Sequence, residues 1–358
     1  MTITQLRLQA QGIAAPLSTT PEAVVTGLGA IQAQDYTGAL WSIGLRLADA
    51  TRASVEQAIA EKSIVRTWPM RGTLHFVPAA DARWMLELLA PRIIKGAEGR
   101  HRQLELDAGS FSRSRNILRK ALQQQKVMTR RDIFAALEKG GIGTGGQRGI
   151  HILQQLSMEC TLCYGPHAEK QPTFALFDDW IATSRTLERE DALRTIAERY
   201  FAGHGPATVR DFVWWSGLTV ADAKVALQLA HGSLEKYEHE GADHWMARGL
   251  AVPEDVQPGA HLLPGFDEYM LGYTNRSAAL PAKYADRVVP GGNGVFFSTL
   301  VLDGQVRGTW RRETRPKGIV IEASPFGRFT AAEKQSFTVP VERYARFLDA
   351  PVTIMWER

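Results

Sequence analysis

Cysteine is scarce. The 358 residues hold two, too few for a disulfide framework, which fits a reducing compartment. They form Cys160-Thr161-Leu162-Cys163, with His151 and His167 nearby in sequence. Zinc requires four ligands and no second CxxC follows, so no metal site is expected. The strand context of a redox CxxC is missing too, which leaves two buried core thiols. No apolar run approaches the ~20 residues of a membrane span. The segment Met1-Thr2-Ile3-Thr4-Gln5 has neither the basic region nor the apolar core of a signal peptide. A cytoplasmic protein without membrane contact is the expectation. Also absent are GxSxG, HExxH, a Walker loop and a dinucleotide GxGxxG after a strand. The glycine-rich run 140–146 lacks the Lys-Ser/Thr of a phosphate loop and reads as a turn between helices.

What is present is an ordinary globular composition, 44% hydrophobic and 22% charged, so packed cores can form. The length suits roughly two to four domains. Net charge is only +4, but arginine far outnumbers lysine, and its planar fork matches phosphates and guanine edges better than an ammonium does. Cations crowd the stretch 92–131, including Arg100, Arg102, Arg113, Arg115, Arg130 and Arg131, with few acids among them. A second cluster holds Arg307, Arg311, Arg312, Arg315 and Lys317. Such blocks are solvated faces or phosphate footprints. Arg100, Arg102, Arg113, Arg115, Arg130, Arg131, Arg148, Arg311 and Arg312 are the candidate DNA contacts.

A weak internal repeat organises the middle of the chain. Thr129-Arg130-Arg131-Asp132-Ile133-Phe134 resembles Thr208-Val209-Arg210-Asp211-Phe212-Val213, each a helix start with Thr as cap and an acid in the first turn. Long helices are expected before them, at 110–125 and 188–203. Further helices are expected after them, at 147–159 and 219–230. Alternating segments then follow, at 161–165 with 173–177 and at 234–238 with 243–246. Three helices and a hairpin make a winged helix. The N-terminal part reads likewise: helices at 21–33 and 54–62, a hairpin from 64–67 and 73–77, and a helix from Pro78 to about 89. After Pro258 come strands at 295–302, 305–311, 319–323 and 352–356, the Asp303-Gly304 turn, and a helix at 330–348 opening on a capping box, Thr330 with Glu333. The expected fold is mainly α with short β hairpins, an α+β chain. It comprises three tandem winged-helix units at 1–107, 108–185 and 186–258 and a small α+β domain at 259–358, packed into one C-shaped DNA-binding body.

Chemistry concentrates at Ile31-Gln32-Ala33-Gln34-Asp35, followed by Trp41 and Arg46, and at Trp68-Pro69-Met70-Arg71-Gly72-Thr73-Leu74-His75. Gln32 and Gln34 would share one face of a strand and splay apart on a helix. Read as the end of an apolar helix, the pair emerges near a buried junction, where amides need partners and Asp35, Arg71 and His75 could supply them. The plainer readings are a surface or capping role for the amides and a structural role for His75. Trp41 and Trp68 read as core. Trp214-Trp215 cannot both face inward.

Gln32-Ala33-Gln34, within Leu28-Gly29-Ala30-Ile31-Gln32-Ala33-Gln34-Asp35-Tyr36, resembles the Gln-aliphatic-Gln signature of the winged-helix DNA glycosylases of the AlkZ/YcaQ type. The Trp68–His75 stretch, Leu262-Leu263-Pro264-Gly265-Phe266-Asp267-Glu268-Tyr269 and Gly304-Gln305-Val306-Arg307-Gly308-Thr309-Trp310-Arg311-Arg312 are similar to further motifs of that family, in the expected order over most of the chain. Gln34 stands where the YcaQ branch has Asp, so the chain is nearer the AlkZ branch. The resemblance implies tandem winged helices around duplex DNA with Gln32 and Gln34 catalytic and Asp35, Arg71 and His75 in support. The implied enzyme is a monofunctional glycosylase for N7-alkylated purines, including bulky adducts or interstrand crosslinks, in repair or in self-resistance to a genotoxin. It works on double-stranded DNA as a monomer, without a cofactor or an obligate protein partner. A cationic N7-alkylpurine is already a good leaving group, so neutral amides that place a water suffice. No lysine adjoins the motif to form a Schiff base. The alternative is a non-enzymatic winged-helix regulator, which needs a base-reading helix; Arg148, His151, Gln154 and Gln155 are its candidates.

Overall fold

The computed structural model describes residues 2–169, 171–250 and 259–357. The chain divides into two compact units, Gln57–Ala192 and the combination of Met1–Glu56 with Leu193–Arg358. The expected boundary between residues 258 and 259 touches residues outside those described.

The unit of residues 57–192 opens with an antiparallel hairpin, Ile64–Met70 against Thr73–Pro78. Its turn residues Arg71 and Gly72 have φ of +54° and +69°, the pairing a tight two-residue turn needs. The register shifts between Thr67 and Met70, so Pro69 falls in a bulge, where a missing N–H breaks no ladder bond. The helix expected from Pro78 to about residue 89 instead spans Ala82–Gln103, running through Pro91. Then come helices Ala108–Gln125, Arg130–Lys139 and Arg148–Met158 and the hairpin Leu162–Tyr164 with Thr173–Leu176. Thr129 caps its helix by accepting from the Asp132 amide, as its motif implied. The short strand Val127–Thr129 adds to the hairpin's other side. Leu118, Leu122, Ile133, Leu137, Ile152, Leu153 and Phe174 are buried, one apolar face from each element.

In the other unit, helices Arg189–His204, Val209–Ser216 and Val220–Ala230 and the hairpin Leu234–His239 with Ala242–Ala247 repeat that succession. Thr208 and Asp211 form a full capping box. Trp215 is fully buried and Trp214 is 42% exposed, the division the adjacent pair required. A five-stranded sheet runs in the order Val352–Trp356, Gly318–Pro325, Gln305–Arg315, Thr299–Leu302, Ala260–Leu263. It is antiparallel except for the pair Gly318–Pro325 and Val352–Trp356. That parallel pair needs a crossover, and helix Thr338–Leu348 lies in it.

Three sequence expectations change here. The helix from Pro21 stops at Leu28, because Gly29 turns the chain with φ +77°. The helix expected over 330–348 is two, Ala331–Ser336 and Thr338–Leu348, joined at Phe337, whose fully buried ring anchors the joint. The strand expected over 295–302 begins only at Thr299, and Ala260–Leu263 is an edge strand not foreseen.

Candidate active site

Since its preceding helix has ended, the Gln-Ala-Gln motif is extended: Ile31–Gln32 is a short strand. The chain then bends at Gln34 and Asp35. Gln32, in the strand, is buried and Gln34, at the bend, is exposed. Asp35 is the N-cap of helix Tyr36–Gly44, its Oδ1 accepting from the Thr37 amide at 3.1 Å. Gly38 fits beneath that carboxylate: a Cβ there would stand 2.7 Å from Asp35 Oδ2.

What holds Gln32 in place is Glu268, itself fully buried. Glu268 Oε1 accepts the Gln32 backbone N–H at 3.0 Å. Its Oε2 accepts the Trp215 indole N–H at 3.0 Å and meets His204 Nε2 at 3.2 Å. His204 Nδ1 lies 3.2 Å from the Tyr200 carbonyl. Next in sequence, Asp267 takes a bidentate pair from the buried guanidinium of Arg46, at 2.9 and 3.0 Å, and the Ser42 hydroxyl at 2.7 Å. Arg46 also donates to Gln11 Oε1, Gln11 Nε2 to the Tyr273 hydroxyl, and Tyr273 to the His204 carbonyl. A continuous buried hydrogen-bond chain thus runs from Asp267 round to Glu268. Buried charges in such number are tolerated because each is paired and its remaining valences filled. In the sequence, Asp267 and Glu268 stand out only as part of the Leu262–Tyr269 motif. The signal was available: two acids between the apolar runs Leu262-Leu263 and Tyr269-Met270-Leu271 must find buried partners.

Asp35 also edges a cavity of about 540 Å³ in the same unit. Its floor is Trp41, Trp310 and Tyr344, with Tyr344 4.9 Å from the Trp41 ring and 5.5 Å from that of Trp310. The two indoles donate to consecutive carbonyls, Trp41 to Leu262 and Trp310 to Leu263. Arg311 and Arg312 line the cavity too. Arg311 is bound to Glu322, and the charge of Arg312 opposes the upward push of burial on the Tyr344 hydroxyl.

In the unit of residues 57–192, Arg71 Nη2 meets His75 Nε2 at 3.2 Å and His75 Nδ1 meets the Thr73 carbonyl at 3.0 Å. The carbonyl and the guanidinium each fill one role, so the imidazole is the neutral Nδ1–H form. Arg71 holds φ +54°, unusual for a residue with a side chain. Arg100 donates to Gln103 and Gln147, Arg102 pairs with Glu98 at 3.9 Å, and Arg115 pairs with Glu159. Arg113, Arg130 and Arg131 are exposed. Three of the four base-reading candidates are occupied internally. Arg148 binds the carbonyls of Leu104, Glu105 and Gly143; Gln154 donates to the Gly72 carbonyl; Gln155 donates to Glu159. His151 packs edge-on to His101, ring centroids 5.5 Å apart. Burial pushes the Cys160 thiol up to about 12 and the Cys163 thiol higher still, which makes both poor nucleophiles.

Comparison with known proteins bears on this arrangement. A family model, DNA glycosylase AlkZ-like, matches residues 25–347. A Streptomyces sahachiroi protein described as an interstrand DNA cross-link repair glycosylase is 27% identical over 333 residues, which cover 85% of each chain. The solved structure of the Streptomyces sahachiroi DNA glycosylase AlkZ superposes with a TM-score of 0.78 at 24% identity, covering 99% of this chain and all of that one. At that identity the likeness establishes the fold.

Proposed function

This chain belongs to the AlkZ-like DNA glycosylase family, and from that premise we propose that it hydrolyses the N-glycosidic bond of N7-alkylated purines in duplex DNA. Bulky adducts are included, as are interstrand crosslinks of the kind named for its Streptomyces sahachiroi relative. The observation that carries this reading is the pinning of Gln32 by buried Glu268, which sets the exposed Gln34 and Asp35 just beyond it. Gln32 and Gln34 hold and orient the water. The Asp35 carboxylate favours the positive charge that develops on the sugar as the bond breaks. An amide is a poor base, and a cationic purine needs little help to leave, so the chemistry selects damaged bases. With no lysine in the motif, the enzyme is monofunctional, a monomer in the cytoplasm. Arg71 and His75 are the further supporting residues that the family resemblance implies.

The tandem helices and hairpins of 108–185 and 186–258 are read as two winged-helix units, with 1–107 a third and 259–358 the closing domain. Among the proposed phosphate contacts, Arg130 and Arg131 have the best support. They occupy the first turn of helix Arg130–Lys139, where a cation opposes the helix dipole by about 0.3–1 kcal/mol, and an approaching phosphate relieves that conflict. Arg113 joins them; Arg100, Arg102, Arg115, Arg148 and Arg311 also hold internal partners, and Arg312 lines the cavity beside Asp35. The regulator reading loses ground because three of its four base-reading side chains, Arg148, Gln154 and Gln155, are spent on protein carbonyls and a carboxylate.

The test is base release from a duplex carrying a single N7-methylguanine. Alkali-labile abasic sites from the wild type, but none from the folded Gln32→Ala, Gln34→Ala double variant, support the reading. A double variant as active as the wild type removes the Gln pair from the mechanism. A wild type that binds the duplex and releases no base, even from a bulky adduct, returns the regulator.

A further inference from the structure

A second cavity, of about 330 Å³, lies between the edge strand Ala260–Leu263 and helix Thr338–Leu348, within the unit of Met1–Glu56 and Leu193–Arg358. That volume is at the lower end of the range that takes small organic molecules. Most of the lining is apolar, with Ile13, Leu45 and Leu262 buried. Val339 is 67% exposed, an apolar side chain left in water at the rim. Two polar side chains interrupt this lining. His261 Nε2 is shut away from solvent and has no hydrogen-bond partner among the described residues, a condition buried polar atoms rarely keep. Burial and the nearby charge of Arg343 bring the pKa of that ring to about 4, so it is neutral at neutral pH. Arg343 itself is half-buried, and its Nη2 donates to the Leu47 carbonyl. It forms no salt bridge among the described residues. Burial and the charge of Arg346 press its pKa down, and Asp49 answers only in part. A guanidinium with donors to spare, beside an imidazole nitrogen without a partner, is short of an anion.

We infer that this cavity is a binding site for a small apolar monocarboxylate, its carboxylate held between Arg343 and the His261 Nε2–H and its hydrocarbon body laid against Leu45, Leu262 and Val339. Each half of such a ligand answers one half of the lining. Inorganic phosphate would meet the same two donors and leave the apolar walls uncovered. An alcohol of the same body would cover the walls and leave the guanidinium without its counter-charge. The site lies apart from Gln32 and Gln34, and its existence does not depend on the glycosylase reading. It does share one side chain with the cavity beside Asp35, since Trp41 lines both.

Calorimetric titration of the full chain with octanoate at neutral pH tests it, beside octanol, octylamine and inorganic phosphate. Octanoate is expected to bind about tenfold or more tightly than each of the three, the size of a hydrogen bond to a charged group. Two variants locate the binding. His261→Phe keeps a ring in place and removes Nε2. Val339→Asp sets a like charge at the rim, at an exposed position in the first turn of its helix, where an acid suits the dipole. Each is expected to weaken octanoate about tenfold, while His261→Phe leaves the weak affinity for octanol as it was; melting curves verify that both variants fold. Octanoate that binds no more tightly than octanol overturns the site, as does wild-type octanoate affinity in folded His261→Phe. Phosphate that binds more tightly than octanoate overturns the ligand class. Should His261→Phe fail to fold, Val339→Asp decides: unchanged octanoate affinity there places the ligand elsewhere and the inference falls.

Discussion

Glu268 does more for the site than any residue that could touch substrate. Its two oxygens meet the Gln32 amide, the Trp215 indole and His204. Removal of the carboxylate takes a buried acceptor from each of them. Losing the partner of a buried polar group costs about 1–3 kcal/mol. Glu268→Ala should therefore lose about 2 kcal/mol or more in urea unfolding. Base release should fall with it, at temperatures where the variant is still folded, because the strand bearing Gln32 is no longer held. Glu268→Gln, which keeps an oxygen toward Gln32, should retain more of both. An alanine variant with wild-type stability would mean that Glu268 is not the anchor. Asp267 and Arg46, beside it, are the same kind of feature: one bidentate pair, 1% exposed on each side, that a single-residue reading of the sequence registers only as two charges.

The loop Leu263 to Glu268 connects this anchor to the cavity wall, and backbone room decides it. Phe266 sits at φ +62°, and the carbonyl of Phe296 lies so close to Gly265 that a Cβ there would approach it to 2.7 Å. Backbone cannot swing aside as a long side chain does, so Gly265→Ala should cost about 1–3 kcal/mol. The melting temperature should drop at roughly 2–4 °C per kcal/mol for a unit of this size. An unchanged melting curve would show that the loop can relax. Legibility in the sequence divides along the same line. Caps were readable because they are local: Thr129, Thr208 and Thr330 each accept from the amide three residues on. The Asp303-Gly304 turn was readable for the same reason. The end of the Pro21 helix was not, since Gly29 is one glycine among several in an apolar stretch, and that error turned a strand-and-bend into a helix end. The break at Phe337 depends on where a ring is buried, which no local pattern carries. The Gln pair could be singled out from its neighbours, but its anchor lies 236 residues away, beyond any periodicity.

At the scale of the whole molecule, charge and burial combine in the response to acid. His101, His151, His244 and His261 all have their pKa pushed below the ordinary 6.5, in each case chiefly because burial disfavours the charged ring. The effect is largest at His261, which is brought to about 4. His101 is held down further by His151, and His151 by Arg100. In the unfolded chain these rings take up protons near 6.5, while in the folded chain they resist until the pH is lower. The unfolded state therefore binds more protons across that window, and stability must fall as pH falls through it. Above 6.5 both states carry neutral rings and the stability is complete. Below it the loss accumulates, reaching its limit for His261 near pH 4. Asp211 adds to the loss at still lower pH. Hydrogen bonds from Thr208 and Thr274 outweigh burial there and hold its carboxyl below the usual range, so its contribution is present at neutral pH and disappears on protonation. Urea midpoints at constant ionic strength should thus decline steadily from pH 7 to pH 4. The decline should be shallower in His261→Phe, which removes the ring with the deepest shift while keeping an apolar group in its place. Midpoints that rise on acidification, or a phenylalanine variant with the wild-type slope, would show that these rings are solvated in solution and that the buried faces of both units are looser than the packing around them implies.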